Sequence, residues 1–310
     1  MLETIWGSIF NATFAASILR ISTPILLAAL GAMISDRAGC ANIGLEGTML
    51  ISALAGVAFS SFGNEATGPW LGLMAAIVIG AIVGAVMAYL ILGLRTNGVL
   101  AGVAVNSIGS AGTIFVLFLL TGQKGISSTL RSYNLPKVNI PILKDIPVLG
   151  DIVSGQNLLT YVAFIAVGIM AYLLYKTPLG LRIRAVGENP GAAASVGINV
   201  TKMKCIALVL SGIMAGLGGA HMSMGYVSWF ARDMTAGRGF IALAAEAMGR
   251  GTPVGTMASS VFFGVAMAVA NALQTLNIAY ELVAGIPYFA TILGLAAYAW
   301  REKKRSKDML

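Results

Sequence analysis

Long apolar runs separated by short polar or glycine-rich breaks organise the chain. Runs at 4–19, 21–35, 46–62, 69–93, 97–121, 158–175, 203–225, 238–250, 254–275 and 281–300 predict helical membrane segments, because about 20 mostly apolar residues span a bilayer as a helix. The runs are continuous and do not alternate with period two, which argues against a β-barrel. The predicted fold is therefore an all-α, polytopic membrane helical bundle. It has roughly eight to ten membrane segments, some of them short, broken or re-entrant. The runs 21–35 and 238–250 are short, and each is read as a half-helix or re-entrant element. The run 4–19 ends at Arg20 and is open to an interfacial placement. Between 36 and 50, the stretch DRAGCANIGLEGTML places Asp36, Arg37, Glu46 and three glycines between two apolar runs. Either it is a turn, or it is a break in a spanning element whose exposed amides line a path.

Composition supports the membrane reading. Of 310 residues, 57% are hydrophobic and 10% charged, where a soluble domain carries about 25% charged residues. Mean hydropathy is +0.85. No stretch is polar enough for a soluble domain, so residues 1–310 are expected to form one integral membrane unit. The net charge is +8, and its placement matters more than its size. Basic residues crowd the loop 176–204 and the tail 301–310, which predicts both on the cytoplasmic side. Four segments then separate them, which puts Arg250 inside and 228–239 outside. Counting backward puts the long loop 122–157 outside and brings 36–45 towards the inside. That loop is too long for a turn and too apolar for a free linker; a docking surface and a folded lid both fit it. The N-terminus carries Glu3 and lacks an early basic cluster, unlike a cleaved signal peptide. Cys40 and Cys205 have neither metal-site nor disulfide-framework spacing.

Charged groups at mid-bilayer cost at least about 2.5–3.5 kcal/mol and usually line a path or pair. The candidates are Glu46, His221, Glu246 and Glu281, with Asn106, Ser107, Ser110, Asn271, Gln274 and Asn277 as neutral polar positions. His221 reads as a packed or interfacial histidine. Asn106 fits a helix-to-helix hydrogen bond and a ligand contact equally well. No reaction chemistry stands out: the chain lacks a paired-carboxylate motif, a Cys/His metal cluster and a Walker A sequence. Scattered amides and hydroxyls suit passage of a neutral polar solute. In the loop, Asn189 followed by Pro190 predicts a short helix over 190–196 capped by Gly197. It is either an ordinary capped loop helix or an insert for a groove on another protein.

The stretches ALGAMISDRAGCANIGLEGTMLISA (29–53), NGVLAGVAVNSIG (97–109), TPLGLRIRAVGENPGAAASVGINV (177–200), SGIMAGLGGA (211–220) and MTAGRGFIALA (234–244) resemble the permease subunits of bacterial ABC importers in the branched-chain amino acid/ribose-type superfamily. Within it they are most similar to nucleoside or simple-sugar permeases that work with a basic-membrane-lipoprotein-type binding protein. The resemblance implies a translocation subunit in the bacterial inner membrane, with a cytoplasmic C-terminus and no cofactor or catalytic site of its own. It implies a separate cytoplasmic ABC ATPase, a second permease subunit in a heterodimer, and an external solute-binding lipoprotein. It assigns ATPase coupling to Arg184, Gly187, Glu188, Asn189, Pro190, Ala192 and Ala193. Asn42, Glu46, Asn106, Ser107 and Glu246 become the pathway or substrate candidates, with Glu46 structural or gating. Glu246 departs from the more apolar pattern of such permeases. The alternative class is an ion-coupled secondary transporter using Glu46 or Glu246 as its proton site.

Overall fold

A computed structural model describes residues 11–140 and 149–274, with a few isolated positions beyond. The predicted segment 281–300, Glu281 and the basic tail lie outside the described residues. Among the described residues, six helices are long and apolar enough to cross a membrane. They belong to α1 (Ala12–Arg37), α3 (Gly68–Ala88, extended by a π-helical turn Tyr89–Gly93), α4 (Gly98–Thr121), α6 (Leu158–Lys176), α9 (Val200–Ala220, extended by a π-helical segment His221–Tyr226) and α11 (Pro253–Gln274). Shorter helices intervene: α2 (Leu45–Ser60), α5 (Leu149–Val153), α7 (Pro178–Glu188), α8 (Pro190–Ser195) and α10 (Arg238–Met248).

The run 21–35 is corrected by the structure. It is not a half-helix, and 12–19 is not separate from it: one helix, α1, runs through Arg20 from Ala12 to Arg37. Every residue from Ile21 to Ser35 is buried, so α1 is the central strut of the bundle. The polar side chains that break the hydrophobic pattern are satisfied locally, as Thr23 Oγ1 donates to the Leu19 carbonyl at 2.7 Å and Ser22 Oγ to the same oxygen at 3.1 Å. Pro24 lies inside this helix and has no N–H for the carbonyl of residue 20. His221 Nε2 lies 3.3 Å from that Arg20 carbonyl oxygen and takes the place of the missing donor.

The short segment 238–250 is observed as expected: α10 has 11 residues, about 16 Å at 1.5 Å per residue. Its counterpart is α2, whose 16 residues cover about 24 Å of a hydrocarbon core near 30 Å. Each is preceded by irregular backbone, 38–44 before α2 and 227–237 before α10. Each broken crossing is therefore an irregular half joined to a helical half. The order α1, break, α2, α3 recurs as α9, break, α10, α11, and the packing recurs with it. α9 packs on α3 as α1 packs on α11, and α2 on α9 as α10 on α1. This is the pattern of a transporter built from paired repeats with discontinuous helices.

Glycines set the closest approaches. A side-chain carbon at Gly80 or Gly84 would run into the backbone of α9 at Gly212 or Leu208, so α3 and α9 touch backbone to backbone as small-residue pairs allow in lipid. At one end of the bundle, the part of loop 122–157 that is described is a folded cap. The Ser127 amide donates to the Phe230 carbonyl at 2.9 Å, the Leu135 amide to Met224 at 2.9 Å, and Lys137–Val138 pairs antiparallel with Gln156–Asn157.

Candidate functional site: two broken helices meeting at Glu46

The two breaks face each other, and Glu46 joins them. It stands in the first turn of α2 and is 9% exposed. Its Oε1 accepts from Thr235 Oγ1 at 2.6 Å and from the Gly237 amide at 2.8 Å, while Oε2 accepts from the Gly239 amide at 2.6 Å. A helix leaves its first amides without intrahelical partners and carries partial positive charge at that end. Glu46 supplies acceptors and negative charge to the start of α10. A buried carboxylate is tolerable only when hydrogen-bonded in this way. Gly239 permits the contact, because a Cβ there would lie 2.5 Å from the Glu46 backbone nitrogen.

The first break is clamped by the two asparagines picked out in the sequence. Asn42 receives the Gly44 amide on Oδ1 at 3.0 Å and donates through Nδ2 to Ser211 Oγ at 3.0 Å, halfway along α9. Its own amide donates to Ser35 Oγ at 3.2 Å. Asn106, on α4, accepts from the Gly47 amide at 2.8 Å and donates to the Ile43 carbonyl at 3.0 Å. Irregular backbone at membrane depth has to be satisfied by protein or by a watery cavity, and here protein side chains do it. Asn42 is wholly buried. Ser107 is exposed and its hydroxyl turns back to the Val103 carbonyl at 2.9 Å. Glu246, 8% exposed on α10, is not brought to Glu46; it lies in the electrostatic range of Asp36 and Arg37 near the end of α1.

At that same end, Arg37 donates through Nε to the Gly251 carbonyl and through Nη2 to the Arg250 carbonyl, each at 2.7 Å. Gly187, near the end of α7, sits against Gly39 and the backbone of Arg37. The segment leading into α2 therefore rests on α7, and the turn that leaves α10 at 250–251 is tied to the same place through Arg37. The expected helix over 190–196 is present as Pro190–Ser195, with Asn189 Oδ1 accepting from the Ala192 amide at 3.0 Å. Glu188, Asn189, Pro190 and Ala192 are exposed, Gly187 is partly covered, and Ala193 is buried against Val186 and Met203. Arg184 is occupied within the fold: Nε donates to the Leu174 carbonyl at 3.0 Å and the guanidinium lies 5.1 Å over the Tyr175 ring.

Sequence reasoning missed Thr235, Gly237 and Gly239 as partners of Glu46. A faint signal was present in TAGRG (235–239), a hydroxyl and two glycines just ahead of a short apolar run. Among the described residues no group of three or more His, Cys, Asp or Glu side chains could hold a metal ion.

Paired repeats, discontinuous helices and polar groups spent on the breaks define a membrane transport protein. Residues 14–293 match the family described as branched-chain amino acid transport system / permease component, and the chain belongs to that family. It is an ABC transporter permease subunit and a multi-pass membrane protein. It is 38% identical to the guanosine ABC transporter permease protein NupQ of Bacillus subtilis, over 90% of each chain. To the nucleoside ABC transporter permease protein NupC of Lactococcus lactis it is 35% identical over 91% of each. A second B. subtilis guanosine ABC transporter permease protein, NupP, is 28% identical over 84% of this chain and 75% of its own length. Among solved structures, PsaBC from Streptococcus pneumoniae in complex with Fab shares the fold at a TM-score of 0.53 and 14% identity, covering 95% of each chain.

Proposed function

We propose that this permease carries nucleosides inward across a bacterial inner membrane, with ATP hydrolysed on a separate cytoplasmic subunit. The observation that supports this reading most is the similarity over nine-tenths of the chain to NupQ and NupC. The exposed Ser107 agrees, since a hydroxyl suits a neutral solute. The partners are an ABC ATPase, an external solute-binding lipoprotein and a second, unlike permease. NupQ and NupP of B. subtilis, both similar to this chain, support the unlike pair.

In this reading α8 is the element that docks into the ATPase, with Glu188 and Asn189 at its entrance and loop 176–204 and the C-terminus on the cytoplasmic side. Closure of the ATPase would press on α7–α8. Gly187 abuts Gly39 and Arg37, and Arg37 holds 250–251, so the push would reach the segments that carry both half-helices. The Glu46 latch is where these two segments would separate or hold. The loop 122–157, with the part of 226–237 that pairs with it around Phe230, would meet the binding protein.

The test is uptake of labelled guanosine into membrane vesicles holding the complete transporter, with adenosine, cytidine, ribose and glucose as competitors. Saturable, ATP-dependent guanosine uptake that nucleosides inhibit supports the reading. Inhibition by a sugar alone would move the substrate class to simple sugars. Uptake driven by a proton gradient without ATP would replace the mechanism with ion coupling.

A further inference from the structure

We propose that Asp233, with Ser110 and Ser107, forms a station halfway across the membrane that binds a vicinal diol, carried by the ribose of the transported nucleoside. This rests on the nucleoside reading and adds to it the place and chemistry of recognition.

Depth comes first. α4 has 24 residues and Ser110 is its thirteenth, so Ser110 stands about 18 Å from one end of the helix and about 16 Å from the other. Ser110 Oγ donates to Asp233 Oδ1 at 2.9 Å. The carboxylate is thereby fixed near the middle of a spanning helix, although Asp233 belongs to the segment that enters from the capped end of the bundle.

Exposure comes second. The side chain of Asp233 is 50% exposed and that of its neighbour Arg232 64%, with Arg232 Nε 3.3 Å from Asp233 Oδ2. Ser107 is exposed one turn along α4 from Ser110. A charge facing hydrocarbon at that depth is costly, so this stripe borders a watery path. The stripe holding Ile108 and Phe115, each 63% exposed, is the apolar face of the same helix.

The chemistry then follows. A carboxylate has about four acceptor positions, and Ser110 and Arg232 use one each. Its two oxygens can each accept from one of two adjacent hydroxyls, the arrangement a cis-diol presents. Arg232 offsets the charge, so the station offers donors and acceptors without net charge, as a neutral solute needs. The position is built by the latch: Thr235 and Gly237, two and four residues on, are held by Glu46. Asp233 (φ 51°) and Ala236 (φ 46°) adopt left-handed backbone, which is uncommon for non-glycine residues and is found where surrounding structure enforces it.

The experiment compares Asp233→Asn with wild type in proteoliposomes carrying the companion permease, ATPase and binding protein. The readout is the ratio of transport efficiency for a ribonucleoside to that for its 2′,3′-dideoxy counterpart. Asn tolerates left-handed backbone and keeps an acceptor for Ser110, so the loop survives. The binding protein is common to both samples, so a change in the ratio reports on the permease. Ribonucleoside efficiency is expected to fall about tenfold or more with dideoxynucleoside transport nearly unchanged, as when a site built for a hydroxyl loses its partner. An unchanged ratio, or equal loss on both solutes, overturns the diol station. If wild type moves no nucleoside, the nucleoside reading fails separately, and the ratio is read on ribose against 2-deoxyribose. A ratio that Asp233→Asn leaves unmoved there also overturns the station.

Discussion

Glu46 and Gly239 meet at 2.6 Å, with the glycine amide donating to the carboxylate Oε2. They lie 193 residues apart in the chain, at the starts of two half-helices from opposite halves of the fold. The contact closes both membrane breaks at once.

Replacing Glu46 by Ala strips acceptors from Thr235, Gly237 and Gly239. Leaving a buried donor unsatisfied costs about 1–3 kcal/mol each, so the variant is expected to lose several degrees in thermal unfolding in detergent and to lose uptake. Glu46→Gln turns a donor towards the same amides and should fall between. Wild-type melting and uptake in Glu46→Ala would remove the latch from the account.

Gly239→Ala adds one carbon against the Glu46 backbone. The two half-helices must then part, and uptake should drop severely even if expression persists. Gly168→Ala, where nothing lies within 4 Å of the added carbon, serves as the control and is expected to stabilise α6 by up to about 1 kcal/mol. Equal behaviour of the two substitutions would show that close approach is not what Gly239 provides.

His221 and Pro24 should be energetically coupled. His221→Leu leaves the Arg20 carbonyl without the ring that Pro24 made necessary, a cost of about 1–3 kcal/mol. In a Pro24→Ala background the helix supplies its own donor, and the same substitution should cost less. A double-mutant cycle on melting temperature gives the coupling directly; additive effects would refute it.

Val196 closes α8 and is 74% exposed. Val196→Asp has nothing to disturb within this chain, so membrane insertion and melting should match wild type. ATPase co-purification and uptake are expected to fall together if α8 is the docking element. Asn189→Ala, which removes the cap on Ala192, should act in the same direction and cost about 1 kcal/mol locally. Retained ATPase binding in both would place the coupling surface elsewhere.

Much of this was legible in the sequence. Continuous apolar runs report lipid-facing or buried helices because the other element that hides its backbone polar groups in a bilayer, the closed barrel, alternates with period two. The short helix at 190–195 follows from Asn189 and Pro190, since caps and first-turn prolines act within four residues. The choice of Asn42, Glu46 and Asn106 as polar residues of interest also came from the sequence, since a polar group in an apolar run needs a reason. Local signals stop there. Hydropathy took 21–35 for a short segment because Arg20 interrupts the pattern, whereas tertiary burial joins both sides into one helix around Pro24 and His221. No local pattern could pair Glu46 with Gly239 or Ser110 with Asp233, because hydrogen bonds between distant segments depend on how two irregular stretches are brought to the same depth. The sequence determined which residues could not be left alone in a membrane; the tertiary structure decided which partner each one found, because only packing sets the distances over which a hydrogen bond acts.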